Sequence, residues 1–446
     1  MGTQQKTEGR SPNPVQAAGA QADSPQVDQP RGTSASGVVG FLYRIRTFES
    51  FQYSKFRMLW VASCGTSGGY FLQQVVVGWL MYDLTKSPFW TAIALGLDSM
   101  PQLVAGPIGG VLVDAWDRRK LLILLPMYQA TVSIGFGVLV LLDLVGPWHV
   151  IGFVVLMGLS WALIEPSRMA LTPLIVPRKN LINAYSLTQL AFSVTRLIGP
   201  AIGGVLLAVF GAGPTLLLEG GFQLSASLMA FLMGPQAQPK TPANLKGVWV
   251  GLKRVAVYAR ATPLISGLLL CGIVSPLLVV PFTSSLMPVY QVEEFEVGQK
   301  ELGWLLAAIG AGSIIGGVLM ASFASAKRQG RLLFFVIFFS ALTMAAVSHI
   351  PYYWAALPIF VIVGVCFTLT QTLSSALIQS NVRDDLRGGV SGVLMATWGF
   401  MIFGSILAGL LARSLGAPNA TLIASALLVA FIVFIAVRFR AVRQLP

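Results

Sequence analysis

Apolar runs about as long as a bilayer is thick recur from Met58 to Val437, separated mostly by loops of a few residues. The stretch 109–120, GGVLVDAWDRRK, shows the pattern in miniature. An apolar run ends in a tight turn holding two Asp, two Arg and a Lys, and LLILLP then resumes. Both arms need hydrocarbon around them while the turn needs water, so the stretch predicts a membrane hairpin. Hydrophobic residues make up 55% of the chain and charged residues 11%, against about 25% charged in soluble domains. The expected fold class is an all-α polytopic membrane protein.

Apolar length and helix breakers place twelve spans at roughly 57–82, 88–113, 120–143, 149–176, 181–210, 214–233, 262–290, 300–324, 331–348, 352–379, 386–412 and 418–438. The net charge of +13 does not point to nucleic acid, because the basic residues sit in short loops and not on one soluble face. From Arg44 to Arg443, 22 Lys and Arg flank the spans on one side, against Lys86, Lys300 and Arg413 on the other. That asymmetry predicts cytoplasmic termini and a cytoplasmic 109–120 turn, in a cell membrane. Cys64, Cys271 and Cys366 lie in apolar runs, so neither a disulfide framework nor a thiolate metal site is expected.

Residues 1–45 are rich in Gln, Pro, Gly, Ala and Ser, which predicts a disordered cytoplasmic tail. They lack a signal-peptide pattern, so the first span is the expected membrane signal. The longest loop, 234–261, contains LKGVWVGLKRVAVYAR. Trp249, Leu252 and Ala256 line one helical face and Lys246, Lys253 and Arg260 another, which predicts a basic amphipathic helix on the anionic inner leaflet.

The two halves repeat. GGVLVDAWDRRKLL at 109–122 is echoed by GGVLMASFASAKRQGRLL at 316–333, LIVPRKNLINAYSL at 174–187 by LIQSNVRDDLRGGVSGVL at 377–394, and, more faintly, LIGPAIGGVL at 197–206 by IFGSILAGLL at 402–411. The expected domains are a six-helix bundle over 50–233, the linker 234–261 and a second six-helix bundle over 262–440. Paired halves of this kind belong to alternating-access carriers.

On these motifs the chain resembles the major facilitator superfamily over residues 50–440. Gly110, Asp114, Arg118 and Arg119 fit its loop 2–3 motif, while Ala115 replaces a basic residue and Asp117 a glycine. The Asp-x-x-Asp-Arg-Arg form, GWLMYDLTKSP (78–88), EPSRMALTPLIVPRKNLINA (165–184) and IGPAIGG (198–204) are similar to the branch holding the enterobactin exporter and macrolide efflux proteins. Where many members carry an acidic residue after Gly in span 1, this chain has Gly69 after Gly68. The resemblance implies twelve transmembrane helices in two pseudo-symmetric bundles. It also implies a conformational gate at Gly110, Asp114, Asp117, Arg118 and Arg119, in which the Asp114 carboxylate meets the N-terminal N–H groups of span 11 at Asp385 to Gly388. Ala321 in the second half lacks the matching Asp, so one such clasp is expected.

Five ionisable residues fall inside predicted spans: Asp98, Glu165, Arg168, Arg196 and Glu219. Each costs at least about 2.5 kcal/mol toward lipid, so each should face protein or a water-filled cavity. Glu165 and Arg168, at i and i+3, can pair; Glu165 is the first candidate for proton carrier, with a static ion pair that holds the bundle together as the other reading. Asp98 lies roughly 24 Å along its helix from Asp114, and Arg196 about 22 Å from the start of span 5. Those depths put Asp98, Arg196 and Glu219 at one level, as a structural network or a titrating switch. Gln73, Gln74, Trp161, Gln371, Thr372 and Trp398 are candidate cavity residues, a set suited to a bulky amphipathic molecule.

The chain carries two histidines, no Walker loop and no zinc spacing, so an enzyme, an ATP-driven pump and a metal or cofactor site are not expected. The reading is a monomeric secondary active transporter, a proton-coupled exporter of a drug, macrolide or siderophore. A substrate-sensing receptor or an importer of a small organic solute remains the alternative.

Overall fold

A computed structural model describes residues 46–236, 245–323, 328–383 and 386–445. The N-terminal tail expected at 1–45 therefore lies outside the described residues, which begin with a short 3-10 helix at Arg46–Gln52. All regular elements among the described residues are helical. In chain order they are α1 (Ser54–Thr85), α2 (Pro88–Leu97), α3 (Met100–Ala115), α4 (Arg118–Leu141), α5 (Pro147–Ile175), α6 (Leu181–Phe210) and α7 (Ala212–Leu232). After the linker helix α8 (Leu245–Ala261) come α9 (Pro263–Glu294), α10 (Gln299–Phe323), α11 (Gln329–Val347), α12 (Tyr353–Asn381), α13 (Arg387–Leu415) and α14 (Ala417–Arg438).

Ten of these helical stretches are long and apolar enough to cross a membrane. The other two crossings are α1, at 32 residues long but carrying GTSGG and two glutamines, and the pair α2–α3. Val104, Val209, Phe231, Phe335 and Val437 are 61–67% exposed, an outer surface that only lipid accommodates.

The second crossing is not the single helix expected over 88–113. It breaks at Asp98 and Ser99, because Pro101 has no N–H to give the Leu97 carbonyl. Proline also shapes α9: its turns widen to π-helix at Ser275–Val279, Pro281–Ser285 and Tyr290–Glu294, where Pro276, Pro281 and Pro288 interrupt the i→i−4 ladder.

Helices α1 to α7 pack among themselves, most extensively α4 on α7 and α1 on α6 and α7; α9 to α14 do likewise around α10 and α12. Two seams join the bundles: α6 against α10, and α2–α3 against α13. Small residues make both seams. A Cβ on Gly204 would sit 2.8 Å from the Gln299 carbonyl oxygen, and one on Gly409 2.8 Å from the Phe89 Cα. On α6, Gly199 and Gly203 face α1 while Gly204 faces α10, so the glycines of IGPAIGG serve two interfaces in a continuous helix.

Helix α8 touches the ends of both α3 and α13. Its inward face is Val255, buried against Gly389, with Tyr258 and Ala259. Trp249 and Ala256, from the apolar face expected on the leaflet, point outward; Lys253 and Arg260 are also exposed, and the Lys246 side chain lies outside the described residues.

Candidate functional site

The break between α2 and α3 turns Asp98 toward α1. Ser99 Oγ donates to the Gly96 carbonyl at 2.6 Å, closing the turn, and Asp98 Oδ2 accepts from the Tyr70 hydroxyl at 2.9 Å. Gln74, one turn further along α1, donates its Nε2 to the same hydroxyl oxygen at 3.0 Å. The Tyr70 ring stacks on Trp161 of α5, with centroids 4.4 Å apart and planes 17° from parallel. Gly158 permits this approach, because a side chain there would collide with the Asp98 carbonyl. The first bundle thus presents a carboxylate, a phenol, an amide and an indole in one cluster.

The second bundle supplies the other wall. The Phe367 ring on α12 meets Trp398 of α13 edge-on at 5.9 Å, and Gln371 lies one turn along α12. Arg196, from α6 of the first bundle, places its guanidinium carbon 4.4 Å from the Phe367 ring centroid. Cation–π contact of this kind is worth about 0.5–2 kcal/mol, rising with desolvation. Arg196 therefore reaches from the first bundle onto the aromatic wall of the second.

This geometry separates residues that depth alone had grouped. Arg196 makes no ion pair with Asp98 or Glu219. Glu219 is fully buried among α1, α4 and α7, where its carboxylate accepts from the Ser133 hydroxyl and from Gln223 Nε2 at 3.2 Å, against Gly69. Gln73 is 4% exposed and shares the α1 face of Gly69, inside the bundle. Adjacent glutamines therefore part, Gln74 to the cluster and Gln73 to the core. Glu165 and Arg168 contact each other as their spacing predicts, with the guanidinium buried and the carboxylate half-buried. Thr372 is exposed.

The 109–120 turn is held by its arginines. Asp117 caps α4, accepting from the Lys120 amide at 3.1 Å. Arg118 donates to the Ala170 carbonyl of α5 at 3.0 Å. Arg119 donates to the Ala230 and Phe231 carbonyls at 3.1 and 2.6 Å, covering free acceptors at the C-terminal end of α7. The surroundings of Gly110, the side chain of Asp114, and the whole of Asp384 and Asp385 lie outside the described residues, as does the expected clasp.

Two contributors were absent from the candidates drawn from the sequence, Tyr70 and Phe367. Each stands one turn from a residue that was singled out, Gln74 and Gln371, so helical spacing held the signal. A third lies at the end opposite the 109–120 turn, where the Tyr82 hydroxyl of α1 donates to Glu293 Oε1 of α9 at 2.7 Å. Next to it a Cβ on Gly78 would fall 2.8 Å from Pro288. Those contacts and Gly204 against Gly303 tie α1 to α9 and α6 to α10 on that far side, while Gly310 meets the Arg196 backbone at the layer itself. Among the described residues, no three His, Cys, Asp or Glu gather where they could hold a metal.

Residues 45–445 match the transmembrane secretion effector family. The chain is 26% identical over 384 residues to the multidrug efflux pump Tap of Mycolicibacterium fortuitum, covering 83% of this chain and 92% of that protein. It is 26% identical over 381 residues to the enterobactin exporter EntS of Shigella boydii, covering 81% and 87%. Its fold is similar to a bacterial homologue of the human lysosomal transporter Spinster (TM-score 0.68, 14% identity, 90% and 99% covered). The nucleoside transporter NupG is also similar (TM-score 0.67, 13% identity, 86% and 99% covered). A family match from end to end of the helical region, on a two-bundle helical fold, makes this chain a multi-pass membrane transporter of the transmembrane secretion effector family within the major facilitator superfamily.

Proposed function

We propose that the protein is a proton-coupled exporter of a bulky amphipathic small molecule, working by rocking of its two bundles. The observation that carries the reading is the layer Asp98–Tyr70–Trp161 on one bundle and Phe367–Trp398 on the other, bridged by Arg196. Two aromatic walls provide flat apolar contact, and Gln74, Asp98 and Arg196 provide a few polar points, the usual make-up of a small-molecule site. The efflux roles of Tap and EntS support the outward direction.

Of the five ionisable residues in the spans, Asp98 is the best placed to exchange a proton for substrate. Its hydrogen-bond donor is a neutral phenol, and it stands beside the aromatic wall. Glu165, the other candidate, is already in contact with the buried Arg168. Loading substrate against Asp98 and releasing a proton from it would make the two events exclusive, which is the requirement for antiport.

The charge asymmetry of the loops supports a cytoplasmic position for the termini, the 109–120 turn and α8, in a cell-membrane protein. The Tyr82–Glu293 and Gly204–Gly303 contacts then help to close the exterior. The protein works as a monomer, each copy holding both halves of the site.

The test is efflux from proteoliposomes loaded with a lipophilic dye such as ethidium, with and without an imposed pH gradient. Gradient-driven efflux by the wild type and not by Asp98→Asn is expected. Equal efflux by both would remove Asp98 as carrier, and dye binding without flux would favour a sensor.

A further inference from the structure

The far side of the molecule has a cavity of about 690 Å³, separate from the aromatic layer and used by no step proposed above. Lys86, Trp90, Trp148 and Arg413 line it. Two of the three basic residues on the far-side loops therefore meet in one place, on a face otherwise poor in positive charge. Two helices also begin there, α2 at Pro88 and α5 at Pro147, bringing the positive ends of their dipoles to the cavity wall. Lys86 is held in left-handed backbone at the end of α1, and its Nζ reaches Asp83 Oδ1 at 2.6 Å. That contact offsets one of the two charges. Arg413, exposed in the last turn of α13, supplies the other.

The indoles indicate the depth. Trp90 and Trp148 meet edge-on at 5.5 Å, and Trp148 is 73% exposed. Amphipathic rings at span ends mark the headgroup level of a bilayer. Ile151, next along α5, continues the wall toward the hydrocarbon. The cavity thus offers a cationic rim at headgroup depth and an apolar wall below it.

We propose that this cavity binds the phosphate headgroup of an anionic phospholipid of the outer leaflet, with Arg413 and Lys86 on the phosphate and the indoles against the glycerol and upper acyl chains. Because Arg413 belongs to the second bundle and the other lining residues to the first, one bound lipid joins the bundles beside the α2–α13 seam at Phe89 and Gly409. Occupancy accordingly favours the closed far side over states in which α13 draws away from α2. The word "outer" rests on the orientation proposed above; the lipid contact itself does not, and the test below reads binding without transport.

Purified full-length protein is placed in nanodiscs of phosphatidylcholine alone or of phosphatidylcholine mixed with phosphatidylglycerol, and its thermal unfolding is followed. The anionic discs are expected to raise Tm by roughly 3 °C, the scale of one or two charge-assisted contacts. Arg413→Gln and, separately, Lys86→Gln should shrink that rise, while Lys300→Gln, at the third far-side basic position, should keep it. A further arm adds inorganic phosphate to protein in detergent without lipid, where no comparable rise is expected. Equal Tm in both discs, an undiminished rise in Arg413→Gln, loss of the rise in Lys300→Gln, or full protection by inorganic phosphate would each overturn the proposal. A rise that Arg413→Gln and Lys86→Gln reduce and Lys300→Gln retains would establish it, whether or not dye efflux is detected.

Discussion

Arg196 of the first bundle rests its guanidinium 4.4 Å from the ring centroid of Phe367 in the second, so a single side chain couples the two halves at the level of the aromatic layer. Neither partner is replaceable by size alone. The contact needs a delocalised cation that lies flat and a ring that offers its face. Phe367→Leu keeps the apolar volume and removes the ring. It should weaken dye binding about two- to tenfold, in line with about 0.5–1.4 kcal/mol. Fluorescence titration of dye onto purified protein measures it, and affinity equal to wild type would place Arg196 outside the binding layer.

The Tyr70 hydroxyl donates to Asp98 and accepts from Gln74, and its ring stacks on Trp161. Tyr70→Phe leaves the stack and removes both hydrogen bonds of the hydroxyl. Binding of an uncharged ligand should change little, while the pH dependence of dye efflux should shift, because Asp98 loses its donor. A pH profile superimposable on wild type would argue against Asp98 as the titrating group.

On the far side, Tyr82 and Glu293 tie α1 to α9. Tyr82→Phe removes a hydrogen bond between the bundles worth about 1 kcal/mol net, which moves the balance of the two states roughly fivefold toward an open far side. Single cysteines placed on the facing ends of α1 and α9 report it through reaction with a membrane-impermeant maleimide. Unchanged labelling rates would mean that the Gly78–Pro288 approach closes this side without help.

Arg119 acts on stability. Its two donations to the end of α7 satisfy carbonyls that the helix leaves open. Arg119→Ala should cost about 1–2 kcal/mol, with discounting for its partial exposure, and lower Tm by a few degrees. Arg119→Lys should recover only part, since an ammonium does not reproduce the fork. Thermal unfolding of the two variants in one detergent decides it.

At the α6–α10 seam, Gly204 and Gly303 face each other so closely that a Cβ on either meets backbone of the other helix. Gly303→Val should disrupt the closed far side, and the loss should exceed that from Gly317→Val on the same helix, where a Cβ meets nothing. Comparable Tm and labelling for the two variants would contradict a seam made by backbone approach.

How the helices cross a membrane was legible in the chain itself. Apolar length, the charged turn at 109–120 and the repeat between halves are one-dimensional signals, and they reach the structure almost unchanged. The i, i+3 pairing of Glu165 with Arg168 is likewise local, and it was readable for that reason. Depth along a helix was readable as well, since each residue adds a fixed rise. Azimuth was not. Asp98, Arg196 and Glu219 share a level, yet packing turned Glu219 onto Ser133 in the bundle core and Arg196 onto a ring in the other bundle. Gln73 and Gln74 are neighbours in sequence and sit about 100° apart around α1, so the helix contacts decided which of them meets the aromatic cluster. The same holds for Lys86 and Arg413, which stand 327 residues apart in the chain and come to one cavity only because α2 and α13 pack together. Apolar length and loop charge set the spans and their order; which faces meet is a long-range packing result, and that alone decided the site.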